Sequence, residues 1–325
     1  MSRPCKIGLA LGGGGARALS HIGVIAGLEK HGIAVDVVTG TSMGAIVGAM
    51  YAARGDLTGL RKTIAAYLQS EEFSDSGFDF FRELDANGEG LLFHVGHLAR
   101  RGLFNALMVT RTAMVGDETA ERNYSYLVED LEIEETRIPF AAVALDLISG
   151  EEVILDRGPL RRAIAASCAM PGVLSPVEDD GRLLVDGGWA EAVPVRAARK
   201  LGADFVIAVD VGAPPPSFDE PRNALDVIAR ADALVRGSLC DEQLESADIV
   251  LRPRNGVSHW ADFSTADQAI ARGEEEIDRR LKALRRTIAR AKRRTWWRWG
   301  AKTVERGLHP GPPDDLRTAE ERQGQ

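Results

Sequence analysis

Three short clusters in this chain carry residue types that could do chemistry. Gly40-Thr41-Ser42-Met43-Gly44 closes a β-branched run, Val35 to Thr39, and opens an apolar helical stretch, Ala45 to Ala53. A serine between two glycines at such a strand-to-helix turn is a nucleophile elbow, G-x-S-x-G. The turn pushes the hydroxyl above the sheet, and the helix N-terminus behind it favours negative charge near the oxygen. The same pentapeptide also fits a purely structural turn, so the other clusters must decide. Upstream, Lys6 to Leu11 reads as a buried strand running into Gly12-Gly13-Gly14-Gly15-Ala16-Arg17. Its exposed N–H groups could cradle a phosphate or form an oxyanion hole. A dinucleotide fingerprint is formally present, Gly13-x-Gly15-x-x-Ala18 with Asp36 downstream. The ribose-binding acid of that motif ends the second strand, however, whereas Asp36 begins it and the strand's end is taken by Ser42. No G-K-[ST] follows the glycines, which excludes a Walker A loop. The third cluster, Leu183-Leu184-Val185-Asp186-Gly187-Gly188, is an apolar strand ending in an acid. Open α/β sheets place their chemistry at that edge, although an Asp-Gly pair also reads as a turn that caps its own backbone.

In this order, the glycine loop with Arg17, the G-x-S-x-G elbow and Asp186-Gly187-Gly188 resemble the patatin-like phospholipases, the bacterial members in particular. Ala166-Ser167-Cys168-Ala169-Met170-Pro171-Gly172 resembles the A-S-x-x-x-P-G block of that family, and the resemblance covers about residues 5–285. It implies an α/β fold of three layers, with a mainly parallel central sheet flanked by helices. It further implies a Ser-Asp dyad, Ser42 as nucleophile and Asp186 as base, acting on acyl esters of phospholipids or lysophospholipids without metal or cofactor. The N–H groups of Gly13, Gly14 and Gly15 become the expected oxyanion donors, each typically worth about 3 kcal/mol of barrier stabilisation. Arg17 either holds the loop or meets a lipid phosphate, unless it is a solvated first-turn side chain. One position departs from the family pattern: Ala18 stands where glycine is usual, which is acceptable if that residue is already helical.

Competing assignments remain at this level. An α/β-hydrolase triad needs a histidine after Asp186, and His259 and His309 are the candidates. His21 reads as a packed or capping residue. His31, His94 and His97 lack zinc-ligand spacing. A nucleotide-binding protein and a non-catalytic lipid-binding module are the other function classes, and the second has no physical need for both Ser42 and Asp186.

The elements that must position these residues alternate between strand and helix. Strands are expected near 5–11, 35–39, 139–145, 183–185, 205–210 and 248–252, which argues a mainly parallel sheet covered on both faces. A long insertion, 56–138, is expected to build a lid and acyl pocket or to add helices to the core. The domain reading is a hydrolase unit over 1–285, a basic Trp-rich extension over 286–309 and a disordered tail over 310–325, which opens with Pro310-Gly311-Pro312-Pro313. Within 277–306 there are 12 Lys/Arg against Asp278 and Glu305, a net of +10 in a chain of net −8, so the remainder carries −18. Ile277, Leu281, Leu284 and Ile288 recur there at helical spacing beside Trp296, Trp297 and Trp299. Such a helix suits an anionic membrane surface or docks its apolar stripe on the core; no nucleic-acid motif accompanies it. Three widely spaced cysteines, Cys5, Cys168 and Cys240, indicate free thiols in a reducing compartment. With no leader-like start and no apolar run of membrane-spanning length, a cytoplasmic protein is expected, peripherally membrane-associated if the basic helix binds lipid.

Overall fold

The computed structural model describes residues 5–84, 110–213, 221, 224–254, 256 and 259–307, with side chains as far as Trp296. Five strands form a parallel sheet in the order β3-β2-β1-β7-β8: β1 (Ile7–Leu11), β2 (Val37–Gly40), β3 (Phe140–Asp146), β7 (Phe205–Val209) and β8 (Ile249–Leu251). Three strands in antiparallel pairings complete it at β3: β4 (Glu152–Leu155) and β6 (Arg182–Asp186) pair with β3, and β5 (Val177–Asp179) pairs with β6. β4 and β5 escape a reading by apolar runs, because both are short and only half-buried.

The register of β3 determines where the chemistry converges. Ala142 pairs with Gly40 of β2 and with Leu155 of β4, while Ala144 pairs with Asp186 of β6 and with Val153 of β4. A strand has two edges, so β2 and β6 must share the edge that β4 leaves free. They approach it from opposite directions, and their C-terminal residues, Gly40 and Asp186, end two residues apart along β3, about 7 Å.

Period-two alternation splits the sheet residues between two helical layers. Leu9, Leu11, Val38, Phe140, Phe205, Ile207 and Val209 face the larger layer, in one continuous core. That layer contains α1 (Ser20–Lys30), α2 (Met43–Arg54), α3 (Leu57–Tyr67) and, later in the chain, α7 (Leu160–Cys168) and α10 (Ala266–Gly307). The described parts of the expected insertion add α4 (Glu71–Asp75), α5 (Phe78–Leu84) and α6 (Asp117–Leu127); residues 85–109, with His94 and His97, lie outside the described residues. The opposite face is lined by small residues, Ala10 and Ala208 beside Val206. It packs on α8 (Val195–Lys200) and on Leu244, the last residue of α9 (Ala224–Leu244).

α10 uses its apolar stripe on the core: Ile277, Leu284 and Ile288 are buried. It lies along α1 at glycine contacts, where a Cβ on Gly23 or Gly273 would run into the partner helix's backbone. The helix passes unbroken through residue 285. Its far part reaches the end of the sheet where the parallel strands begin, since Arg294 pairs with Asp248 at 3.7 Å and Thr295 hydrogen-bonds Cys5. The side chains of Trp297 and Trp299, and the 310–325 tail, lie outside the described residues.

Candidate active site

Ser42 sits at φ 54°, ψ −130°, one of two non-glycine residues with positive φ among the described residues. Such backbone costs about 1–3 kcal/mol and persists only where its surroundings enforce it. Here the enforcement is close packing. A Cβ on Gly40 would strike the backbone of Gly44 and Ala45, and one on Gly44 would strike the carbonyls of Leu11 and Gly12. The Ser42 N–H donates to the buried Ser167 Oγ at 3.0 Å, while Thr41 donates through N to Leu11 O at 3.1 Å and through Oγ1 to Glu191 O at 2.8 Å.

Asp186 closes β6 and is 3% exposed. Its carboxylate accepts hydrogen bonds from the Ser42 hydroxyl and, at 2.7 Å, from the Gly188 N–H. Burial pushes its pKa up to about 6; those two hydrogen bonds and the Arg236 charge act in the opposite sense but lose. The carboxyl is therefore poised within a unit or so of neutrality, where a general base works best.

The glycine loop behaves less uniformly than its sequence. Gly12 N–H donates to Val209 O and Gly13 N–H to Ala192 O, both at 3.0 Å. Gly13 thus departs from the expected oxyanion set, because its proton already ties the loop to the segment after Asp186. The N–H groups of Gly14 and Gly15 meet no acceptor among the described residues, and neither does that of Met43. Gly15, at φ +57°, lies so close to Trp260 O that no Cβ fits, and Ala16 N–H donates to that same carbonyl at 2.7 Å. Ala18 lies in a 3-10 turn, Gly15–Leu19, and is buried, so the missing glycine is accommodated. Arg17 is half-buried; burial lowers its pKa, and its Nε has no hydrogen-bond partner among the described residues.

His21 is fully buried and donates from Nε2 to Gly12 O at 2.7 Å. Burial pulls its pKa down to about 4, so the neutral ring holds the loop. His259 accepts from Ala261 N–H at 3.1 Å and lies against Trp260, whereas the hydrogen bonds described at Asp186 come from Ser42 and Gly188. His31 pairs with Asp278, and His309 lies outside the described residues. Asp36 accepts from Ile7 N–H at 2.7 Å at the start of the strands, the end opposite the glycine loop, a poor place for a ribose. Among the described residues no group of three His, Cys, Asp or Glu side chains is arranged to hold a metal.

A cleft of about 800 Å³, its open mouth included, leads away from Ser42. Its walls are almost wholly apolar, with Phe78 and Phe81 of α5, Tyr124 of α6, Met170, Trp260 and Phe263 among them. Edge-on and tilted aromatic contacts, such as Phe78 with Trp260 and with Phe263, stiffen that wall. Sequence reasoning had His21 as a packed or capping residue, which agrees with its full burial, but gave neither its role as the loop's anchor nor that of Ser167; both act on backbone groups of the motifs. The only trace of Ser167 was its place in Ala166-Ser167.

The Patatin-like phospholipase family profile matches residues 9–199, a span that contains the loop, the elbow and Asp186. Lysophospholipase NTE1 of the fungus Coccidioides immitis is 33% identical over 210 residues, 64% of this chain and 12% of that protein. An uncharacterized NTE family protein of Mycobacterium bovis is 35% identical over 206 residues, 63% of this chain and 49% of its own. This chain therefore spans half or less of the length of those relatives. The crystal structure of VipD from Legionella pneumophila aligns with 87% of this chain and 68% of its own at 14% identity and a TM-score of 0.44, too distant to bear on the site. With a family match that runs from β1 past Asp186 and a three-layer sheet that presents Ser42 to Asp186, the chain belongs to the patatin-like phospholipase family.

Proposed function

We propose that this protein hydrolyses acyl esters of phospholipids or lysophospholipids through an acyl-Ser42 intermediate. The observation that carries the reading is the hydrogen bond from the Ser42 hydroxyl to a buried Asp186 carboxylate at the head of an apolar cleft. Asp186 takes the Ser42 proton as Oγ attacks the ester carbonyl, and returns it to the departing alkoxide as the tetrahedral intermediate collapses. Water, deprotonated by the same carboxylate, then releases the fatty acid and regenerates Ser42. The N–H groups of Gly14, Gly15 and Met43 are the oxyanion donors, supported by their lack of acceptors among the described residues. The cleft takes the acyl chain, and the half-buried Arg17 guanidinium meets the lipid phosphate. A lysophospholipid substrate is supported by the name of the fungal relative, and a reducing, cytoplasmic setting by three free thiols. Among the described residues no helix is long and apolar enough to cross a membrane. The outer face of α10, with exposed Lys282, Arg286, Arg290, Lys292 and Arg293, supports attraction to an anionic surface. That basic end is remote from Ser42, so such a contact gathers the enzyme without presenting its site.

Fluorophosphonate labelling with intact mass tests the chemistry. Wild type is expected to gain one adduct on Ser42, and Ser42→Ala and Asp186→Asn to lose it. A folded wild type that stays unlabelled with vesicles present would sink the proposal.

A further inference from the structure

The segments that carry the glycine loop, the elbow and Asp186 are tied together by a short strap, Ala190 to Pro194, which follows the Asp186 turn. It starts from that turn, since the N–H groups of Ala190 and Glu191 both donate to Gly187 O, at 2.9 and 2.8 Å. Every carbonyl of the strap accepts a hydrogen bond. Ala190 O takes one from Gln243 Nε2 of α9 at 2.7 Å, Glu191 O from Thr41 Oγ1 at 2.8 Å, Ala192 O from the Gly13 N–H at 3.0 Å and Pro194 O from Thr39 Oγ1 at 2.8 Å. Val193 O accepts from the Val195 N–H at 2.8 Å, and the Val193 side chain packs so near Gly12 that a Cβ there would strike it. One segment thus touches the acid's turn, the glycine loop, the elbow and β2.

The strap is itself held by one side chain. α8 begins directly after it, and the N-cap position is Pro194, which has no side-chain acceptor for the orphan N–H groups of the first turn. Glu191 supplies that acceptor. Its fully buried carboxylate accepts from the Arg196 N–H at 2.7 Å and from the Ala197 N–H at 3.4 Å. The Arg196 guanidinium stands 3.4 Å away and also bonds Glu152 of β4. The other titratable neighbour is Cys240 of α9, a neutral thiol whose pKa burial pushes up to about 12. Burial likewise pushes the Glu191 pKa up to about 7; Glu152 adds to the rise, while the two N–H donors and the Arg196 charge oppose it. A carboxyl whose pKa rises on folding is one whose charge the native state resists. Its presence there needs a reason other than stability.

We infer that Glu191 is a positioning residue of the hydrolase, its ionised carboxylate pinning the strap so that the glycine loop, the elbow and the Asp186 turn keep catalytic register. The charge is needed for geometry. Only the carboxylate offers acceptor oxygens to both α8 N–H groups and to Arg196, whereas a protonated acid or an amide presents a donor on one of its two arms. A strap released at that point shifts Glu191 O and Ala192 O, the partners of Thr41 and Gly13. Ser42 follows Thr41 directly, and Gly14 and Gly15, whose N–H groups meet no acceptor among the described residues, follow Gly13. Displacement therefore reaches the nucleophile and the oxyanion donors, but not the apolar cleft that binds the ester. Such a change lowers kcat rather than raising KM. The inference rests on the hydrolase reading for the reaction that is positioned.

The test measures kcat and KM on a monomeric ester for the full chain and its Glu191→Gln variant between about pH 5 and about pH 8.5. At the upper end the variant's kcat should be lower by about tenfold or more, with KM little changed. Asp186 titrates in both proteins and cancels in the ratio of their kcat values. That ratio should fall toward unity as pH drops through about 7, reporting Glu191 alone. Thr41→Val removes the strap's bond to the elbow, so its kcat loss and that of Glu191→Gln should combine to less than their product in the double variant. A ratio independent of pH, losses that multiply, or an effect on KM in place of kcat would overturn the inference. Hydrogen exchange at one pH gives a readout that needs no ester: amides of residues 12–15 and 187–197 should exchange faster in Glu191→Gln, and those of α10 should not. Unchanged exchange in those segments, or faster exchange throughout the chain, would overturn the clamp. Faster exchange confined to them, in a protein whose wild type hydrolyses no ester, would keep the clamp and remove the hydrolase.

Discussion

At the scale of single residues, the site depends on one carboxyl whose environment resists its charge. In the proposed mechanism Asp186 must be ionised to accept the Ser42 proton, so kcat/KM on a monomeric ester should rise with pH through about 6. A profile flat from pH 5 to 8 would contradict the base assignment. The same shift has a stability consequence of opposite sign. Between the unfolded pKa near 3.8 and the folded value of about 6 the native state holds the proton more tightly, so ionisation costs the fold about 3 kcal/mol by pH 8. Asp186→Asn should therefore melt higher than wild type at pH 8, with the advantage gone at pH 4, while acylation is lost. Thermal melts at both pH values check this. Ser167 never touches the reacting atoms; it accepts the N–H of the strained Ser42. Ser167→Ala leaves that donor unpaired, typically a loss of about 1–3 kcal/mol. The expected signature is a kcat lowered about tenfold or more with KM little changed, and Ser167→Thr should restore part of it.

At the scale of elements, the elbow is a three-way contact between β1, β2 and α2, and the glycines are there because backbones meet. A Cβ at Gly44 would press on two carbonyls that have no room to retreat. Gly44→Ala should lower the melting temperature and also abolish fluorophosphonate labelling, whereas an exposed alanine replacement such as Arg286→Ala should do neither. The pentapeptide made the elbow legible in the sequence, and the apolar run after it made α2 legible. β4 and β5 were not legible, since half-buried hairpin strands of three or four residues carry no periodic signal. The glycine loop was legible as an anion site, but not which of its protons are spent. That Gly13 bonds Ala192 depends on a segment almost 180 residues downstream.

At the scale of the whole molecule, basic charge and the site are separated along the sheet axis. Basic residues of α10 collect beyond the strands' beginnings, whereas Ser42 follows the C-terminal end of β2. Replacing Lys282, Arg286, Arg290 and Arg293 with Gln should weaken binding to anionic vesicles by about 1 kcal/mol per charge at low salt and flatten its salt dependence. Hydrolysis of a zwitterionic substrate should be untouched. Loss of that hydrolysis would mean that the basic end helps present the site after all.

The amino-acid sequence by itself determined the local chemistry: an exposed serine on an elbow, a glycine loop rich in free N–H groups, and an acid ending a strand. These follow from short-range sterics and from apolar runs a few residues long, which any reader of the chain can find. Only the tertiary structure decided that Ser42 and Asp186 meet. β2 and β6 share one edge of β3 from opposite directions, and pairing register between segments some 140 residues apart is not encoded in either segment alone. The same holds for the two amphipathic helices. Both carry apolar stripes at helical spacing, yet α10 buries its stripe against α1 while α9 holds its own out to solvent, because periodicity specifies a face and only packing specifies what the face meets.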